Sequence, residues 1–371
     1  MNIVFRVDSS NIIGTGHIMR CLTLAHQFKL FGAKVVFISR THKGNICNII
    51  EEQGFKVHRL NISNKICNDK SVLHSSWLGV TFEEDAMETI KCIQNEKVDL
   101  LVVDHYAIDS RWEKKVKEVV PSIMVIDDLA DRSHMADFLL DQNLYQDINT
   151  RYTNKLPNYC KKFLGPEFAL LRQEFSLHQK KNQIIDKNKI KRILIFFGGS
   201  DPTNETEKVL KALKNMELSN IIIDVVVGQS NSKKEKIKQL CSKLKNGNFH
   251  CQINNMAELM SKSDFAIAAG GSFTWERYCI GLPGITIAVA ENQIKLIEDA
   301  QLLGIDMYLG ESKNVTVDLI SEVVSRIIVS PFDILSMSQK AQTIVDGNGA
   351  IKIVKEIFKI RNGLNEITIA R

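Results

Sequence analysis

Short apolar runs of strand length alternate with amphipathic helical stretches along almost the whole of this 371-residue chain. That alternation is the strongest constraint on its fold, because strand–helix–strand units build a parallel sheet covered by helices on both faces. Runs at 3–7, 34–39, 98–104, 122–128 and 138–140 read as strands, with a helix predicted over 17–31. A Lys/Asn-rich stretch at 151–190 holds two of the six prolines, Pro157 and Pro166, and reads as a connection between domains. A second series follows, with strands at 191–197, 221–227, 265–269 and 285–289. Helices are predicted over 204–214, 233–245, 257–261, 274–281, 293–303, 317–328 and 350–360. The expected fold is α/β, two Rossmann-like halves facing each other across a cleft. They would occupy 1–150 and 191–330, with a helical tail at 331–371. The weakly periodic 61–78 stretch reads as a loop or insertion.

Composition removes several classes. Hydrophobic residues make up 44% of the chain and charged residues 25%, as in an ordinary globular protein with a sizeable core. No apolar stretch approaches the roughly 18–20 residues of a membrane-spanning helix, so no membrane partner is expected. The N-terminus enters directly into Ile3-Val4-Phe5 without a signal-peptide pattern, so a cytoplasmic location is expected. Eight cysteines lack C-x-x-C spacing and read as small buried hydrophobes. The net charge of +5 is dispersed. Its densest cluster, Lys233-Lys234-Glu235-Lys236-Ile237-Lys238, reads as a solvated helix face without interleaved aromatics, which argues against nucleic-acid binding.

The residues that carry chemistry sit at strand ends. Gly14-Thr15-Gly16-His17 follows the first strand, where glycines admit a ligand to the backbone and a helix start favours negative charge. Met19 stands where a dinucleotide fingerprint needs its third glycine, which disfavours an NAD-dependent oxidoreductase. On the first helical turn His17 faces the crevice in neutral form, able to accept a proton; a merely capping or packing histidine is the alternative. Gly198-Gly199-Ser200 offers backbone amides to a phosphate or is an ordinary tight turn. Gly270-Gly271-Ser272 precedes Glu276, read on the first turn of its helix either as a dipole partner or as an acceptor of ribose hydroxyls. Asn292 and Gln293 place two amides on the same rim. Three glycine turns together point to a phosphorylated, nucleotide-bearing ligand. Asp104-His105-Tyr106 and Asp127-Asp128 end two further strands; their carboxylates suit a metal or acid–base work, and Asp131 equally suits a salt bridge to Arg132. Tyr106 either reaches into the cleft or is a half-buried aromatic. No Cys/His cluster suggests a tightly held metal, and no cofactor is expected.

In order, Gly14-Thr15-Gly16-His17-Ile18-Met19-Arg20-Cys21, Val103-Asp104-His105-Tyr106, Ile126-Asp127-Asp128 and Leu164-Gly165-Pro166-Glu167-Phe168-Ala169-Leu170-Leu171-Arg172 lead to three further motifs. These are Phe197-Gly198-Gly199-Ser200-Asp201-Pro202, Gly270-Gly271-Ser272-Phe273-Thr274-Trp275-Glu276 and Asn292-Gln293. The set resembles the PseG family of pseudaminic acid biosynthesis hydrolases, relatives of MurG-type glycosyltransferases with the GT-B fold. The resemblance covers roughly residues 1–310. It implies hydrolysis of UDP-2,4-diacetamido-2,4,6-trideoxy-β-L-altropyranose to UDP and the free sugar without a metal, with His17 as general base for the attacking water. It places the family's cleft tyrosine on Tyr106 and its substrate-contacting asparagine on Asn292. Gly271, Ser272 and Glu276 are implied nucleotide contacts, and Met256 lies where related folds hold the uracil by main-chain groups. The implied partners are a small UDP-sugar and water, and nothing in the motifs demands more than a monomer. A GT-B glycosyltransferase using a UDP-amino sugar and a non-catalytic UDP-sugar-binding module are the rival readings.

Overall fold

A computed structural model of the chain describes residues 1–62, 69–179, 189–216, 218–330 and 334–362. It divides into two units: Met1–Asn143, Asp147–Leu171 and the segment from Asn348 form the first, and Leu144–Gln146 with Arg172–Gly347 the second.

Unit 1 holds strands β1 (Asn2–Val7), β2 (Lys34–Arg40), β3 (Lys56–Leu60), β4 (Leu100–Asp104), β5 (Ile123–Ile126), β6 (Phe138–Asp141) and β7 (Lys161–Leu164). Its helices are α1 (Gly16–Leu30), α2 (Cys47–Glu52), α3 (Phe82–Ile93) and α4 (Ser110–Val116). All seven strands are parallel, in the order β3-β2-β1-β4-β5-β6-β7. The order reverses between β1 and β4, and a crevice opens at such a switch point beyond the strand carboxyl ends.

Unit 2 holds α5 (Gln173–Leu177), β8 (Arg192–Phe196), α6 (Glu205–Lys214), β9 (Ile222–Val227), α7 (Lys234–Cys241), β10 (Gly247–Cys251), α8 (Met256–Lys262), β11 (Phe265–Ala269) and α9 (Ser272–Ile280). It continues through β12 (Gly284–Ala288), α10 (Glu291–Leu302), β13 (Met307–Glu311), α11 (Val317–Val329) and α12 (Ile334–Ile344). Its parallel sheet runs β10-β9-β8-β11-β12-β13, so the same reversal recurs between β8 and β11. The last helix, α13 (Gly349–Asn362), belongs to unit 1 and packs on α1. No helix among the described residues is long and apolar enough to cross a membrane.

The continuous apolar strands follow from burial on both faces. On β1, Ile3, Phe5 and Val7 join Leu22, Ala25 and Phe28 of α1 with Ile353, Val354 and Ile357 of α13 in one core. Val4 points the other way, into a core with Leu101, Val103, Ala86, Trp112 and Val116. Cys21, Cys47, Cys160, Cys241 and Cys279 are buried thiols, as expected of small hydrophobes, whereas Cys92 and Cys251 are only partly buried and Cys67 lies outside the described residues. Arg6 interrupts the apolar pattern of β1 yet is fully buried. It is bound to Asp8 and Asp85 at 2.6 Å each, Arg40 joins Asp85 at 2.7 Å, and the Trp112 indole N–H donates to Asp85 at 3.0 Å. Charges taken out of water cost several kcal/mol each unless paired this fully.

The reading from sequence misses four strands, and all four are sheet edges: β3, β7, β10 and β13. An edge strand pairs on one side only and is partly exposed, so polar residues break up its apolar run. Hence the 151–190 stretch contains β7, and the chain passes from unit 1 to unit 2 at Leu171/Arg172. The expected tail after 330 is shared between the units, α12 packing on α9 and α13 on α1. Part of 61–78 and the final residues of that tail lie outside the described residues.

Candidate functional site

At the switch point of unit 1, β1 leads into a turn in which the Ser10 hydroxyl accepts the N–H groups of Ile12 and Ile13, and Gly14 N–H donates to Ser10 O at 2.9 Å. Thr15 stands at the cap of α1 without a side-chain hydrogen bond, Gly16 opens the helix, and its first turn holds no acid. The start of α1 is therefore open to an anion.

His17 is the second residue of α1 and is buried. The parallel register sets Val7 beside Asp104, which places the Asp104 carboxylate at the end of β4 against the His17 ring. Nδ1 lies 2.6 Å from Asp104 Oδ1. A carboxylate only accepts, so Nδ1 carries a proton, and in the neutral ring the lone pair is therefore on Nε2; no described residue hydrogen-bonds Nε2. The sequence reading gave the helix start control of this ring. The structure gives it to Asp104, which fixes tautomer and orientation together.

Arg20, three residues on and hence on the same helix face, donates from Nε and Nη2 to both Asp104 oxygens at 2.6 Å each. Its Nη1 reaches Asp128 at 3.0 Å. Nη2 also stands 3.2 Å from His17 Nδ1, but two protonated nitrogens form no hydrogen bond. The Tyr106 hydroxyl donates to Asp128, and its ring meets His17 edge-to-face at 4.7 Å. Burial pushes Asp104 upward, but the Arg20 guanidinium and the His17 imidazole hold its carboxyl well below the usual carboxylate range. Burial and the Asp128 carboxylate push the Tyr106 phenol well above its ordinary value, so it stays a donor. His17, Asp104, Arg20, Asp128 and Tyr106 are thus one rigid network with a single outward-facing base.

The other acids serve as anchors. Asp127 pairs with Arg132 at 2.9 Å and accepts from Ala130 N–H, and Asp131 pairs with Arg132 at 2.7 Å. Tyr152 has one phenolic proton yet lies 3.1 Å from carboxylate oxygens of both Asp127 and Asp141. Burial, then the nearby Asp128 carboxylate, pushes Asp141 up to about 8, so it supplies the missing proton itself at neutral pH. No group of three or more His, Cys, Asp or Glu among the described residues is arranged to hold a metal.

In unit 2 the glycine turns differ. Gly199 and Ser200 are exposed, and α6 starts only at Glu205. Both oxygens of Asp201 accept the Glu205 and Thr206 amides at 2.9 Å, so this helix start is already filled by a carboxylate. Gly271 caps α9 without a side-chain hydrogen bond, Ser272 begins it, and its first turn holds no acid. A Cβ on Gly270 would stand 2.4 Å from Ile297 Cδ1, so glycine is what lets α10 close on this turn. Gln293 accepts the Val289 N–H through Oε1 and brings Nε2 beside Gly271; Asn292 is exposed on the first turn of α10. Glu276 is the fifth residue of α9, a turn later than the sequence reading placed it, and is half-buried. Met256 opens α8 and is buried. Gly14, Thr15, Gly16, His17 and Tyr106 therefore gather at the unit 1 switch point. Gly199, Ser200, Met256, Gly271, Ser272, Glu276, Asn292 and Gln293 follow strand ends of unit 2.

Arg20 was legible through its spacing from His17 but had no role in the sequence reading. Trp77 and His74 lay in the stretch read as an insertion, yet their rings reach the site: Trp77 lies 5.7 Å from Tyr106 and 6.5 Å from His17.

Residues 193–356 match the glycosyltransferase family 28 C-terminal domain. The chain is 28% identical over 294 residues to a UDP-2,4-diacetamido-2,4,6-trideoxy-beta-L-altropyranose hydrolase of Campylobacter jejuni, covering 79% of this chain and 93% of that one. It is also 28% identical over 305 residues to an uncharacterized protein of Methanocaldococcus jannaschii, covering 81% of this chain but only 58% of that one. Among solved structures, MurG of Acinetobacter baumannii superposes with a TM-score of 0.65 at 16% identity, over 97% of this chain and 100% of that one. The chain therefore has a GT-B fold like that of MurG, a C-terminal half matching the glycosyltransferase family 28 C-terminal domain, and similarity over most of its length to a UDP-sugar hydrolase of the PseG type.

Proposed function

We propose that the chain hydrolyses a UDP-linked diacetamido-trideoxy sugar to UDP and the free sugar. The observation that carries this reading is the His17–Asp104 pair, which orients the ring and leaves Nε2 without a hydrogen-bond partner among the described residues. Water gives its proton to His17 Nε2 as its oxygen bonds to the anomeric carbon, and the carbon–oxygen bond to the diphosphate breaks with the electron pair leaving on UDP. Asp104 stabilises the imidazolium that forms and keeps its own charge because Arg20 holds it. General-base assistance of this kind is worth about 10²–10⁴-fold. UDP is a good leaving group, so stabilising its charge suffices, and the acid-free start of α9 at Gly271 and Ser272 suits that task. Glu276 takes the ribose hydroxyls, main-chain groups at Met256 the uracil, and Asn292 and Gln293 the phosphate–sugar junction. Tyr106, with Gly14, Thr15 and Gly16, lines the base side.

Purified protein is incubated with UDP-2,4-diacetamido-2,4,6-trideoxy-β-L-altropyranose in ¹⁸O-water. The expected products are labelled free sugar and unlabelled UDP. Label in UDP would mean attack at phosphorus. Turnover that stalls until a sugar acceptor is added would establish the second reading, a glycosyltransferase, which the family 28 domain favours.

A further inference from the structure

Trp77 is one of three tryptophans and differs from the other two. Trp112 and Trp275 are fully enclosed, whereas Trp77 is partly exposed and its indole N–H has no partner among the described residues. It sits on a short 3₁₀ turn, Ser75–Leu78, held by the buried Val72, Leu78 and Val80. Gly79 closes that turn at φ +75°, where a Cβ would come within 2.8 Å of the His42 ring. The indole is therefore held by its turn while remaining partly exposed. Its plane lies 28° from that of Tyr106 at 5.7 Å, His74 packs on it at 4.4 Å, and His17 meets it at 82° and 6.5 Å.

An aromatic wall this close to the base fits one part of the substrate. His17 Nε2 reaches a water poised at the anomeric carbon, so the group against Trp77 is the hexose itself; uracil is a diphosphate and a ribose further away. A sugar stripped of hydroxyls at carbons 2, 4 and 6 presents a methyl at carbon 6 and two acetyl methyls, and flat aromatic faces accept such apolar groups. We propose that Trp77, backed by His74, determines specificity by seating these methyl groups beside His17. This rests on the hydrolase reading above.

The test compares wild type, W77A and W77F for turnover of UDP-2,4-diacetamido-2,4,6-trideoxy-β-L-altropyranose and for UDP binding. One methyl in an apolar pocket is worth about 10–200-fold in discrimination. W77A is expected to lose about 10- to 100-fold in kcat/KM, carried mainly by KM, with UDP affinity within about twofold of wild type; W77F retains most of the activity. An unchanged kcat/KM in W77A, or an equal loss of UDP affinity, overturns the assignment. Tryptophan fluorescence gives a second arm that does not depend on W77A folding: saturating free diacetamido-trideoxy sugar should shift wild-type emission and leave W77F emission unmoved. No shift in wild type overturns the proposal. A wild type that responds to the sugar but does not turn over the UDP-sugar refutes the hydrolase reading while leaving the wall in place.

Discussion

The tripeptide Gly-Gly-Ser occurs twice in unit 2, and its two copies do opposite things. After β8 it is followed by Asp201, whose carboxylate takes the first amides of α6. After β11 it is followed by Phe273, and the start of α9 keeps its amides free of any side-chain cap. The same tripeptide thus leads into two different helix starts: α6 begins five residues after Ser200 with its first amides held by Asp201, whereas α9 begins at Ser272 itself with no side-chain cap. The switch point of unit 1 gives the contrasting case: α1 also begins uncapped, but there the buried Asp104 carboxylate holds a histidine and is itself tied through Arg20 to Asp128. Equivalent topology therefore presents a His–Asp–Arg network at one switch point and an uncapped helix start at the other, which the proposed function uses for proton transfer and for charge binding respectively.

The division of labour is broken or upheld first by H17A. It is expected to lower kcat by about 10²–10⁴-fold while leaving UDP affinity unchanged in calorimetry. A parallel loss of UDP affinity would show that the two roles are not separate. The next largest effect comes from placing a carboxylate on the first residue of α9. S272D places a carboxylate where the diphosphate is proposed to bind. Like charges at about 4 Å repel by a few kcal/mol at a protein surface, so UDP affinity should fall by the order of 100-fold. The reciprocal change, D201A, removes a cap worth about 1 kcal/mol of stability and leaves UDP affinity as it was. If D201A weakened UDP binding as much as S272D, the two turns would share one function and the comparison would fail.

What was legible in the sequence follows the same physics. Central strands such as β1, β4, β8 and β11 are covered on both faces, so residues like Ile3–Val7 and Phe265–Ala269 stand out as unbroken apolar runs. The edge strands β3, β7, β10 and β13 are half-exposed, and their mixed composition hides them. His17 was legible because a histidine after a glycine turn has a position in the chain. Its partner Asp104 lies 87 residues away and the Arg20–Asp128 pair spans 108, and such long-range pairings come from the strand order, which no local pattern encodes. The Asp201 cap was written in the chain but was outweighed by the glycines before it. Trp77 has no periodic neighbours to mark it, so only the packing of its ring beside Tyr106 brings it to the site.

The smallest effect, and the sharpest on unit 2 alone, is the pH dependence of Glu276. Burial pushes its carboxyl up to about 7 from 4.5; Arg172 pulls it down and Glu174 adds to the rise. A raised pKa means that the folded state holds the proton more tightly than the unfolded chain, so this group's contribution to stability is full below about 4.5 and is lost as pH rises to about 7. Ribose recognition has the opposite sign, because an ionised carboxylate accepts both hydroxyls whereas a neutral one must donate. UDP affinity is therefore expected to rise severalfold, and at most about tenfold, between pH 6 and 8, while this group's share of stability declines. The terminal phosphate of UDP also ionises near pH 6, so E276Q is the necessary reference. That variant keeps the phosphate titration and loses the carboxylate. Affinity profiles for wild type and E276Q that run parallel would remove Glu276 from the nucleotide site. Profiles that diverge above pH 7 would place the ribose on α9, beside the helix start that Asp201 does not block.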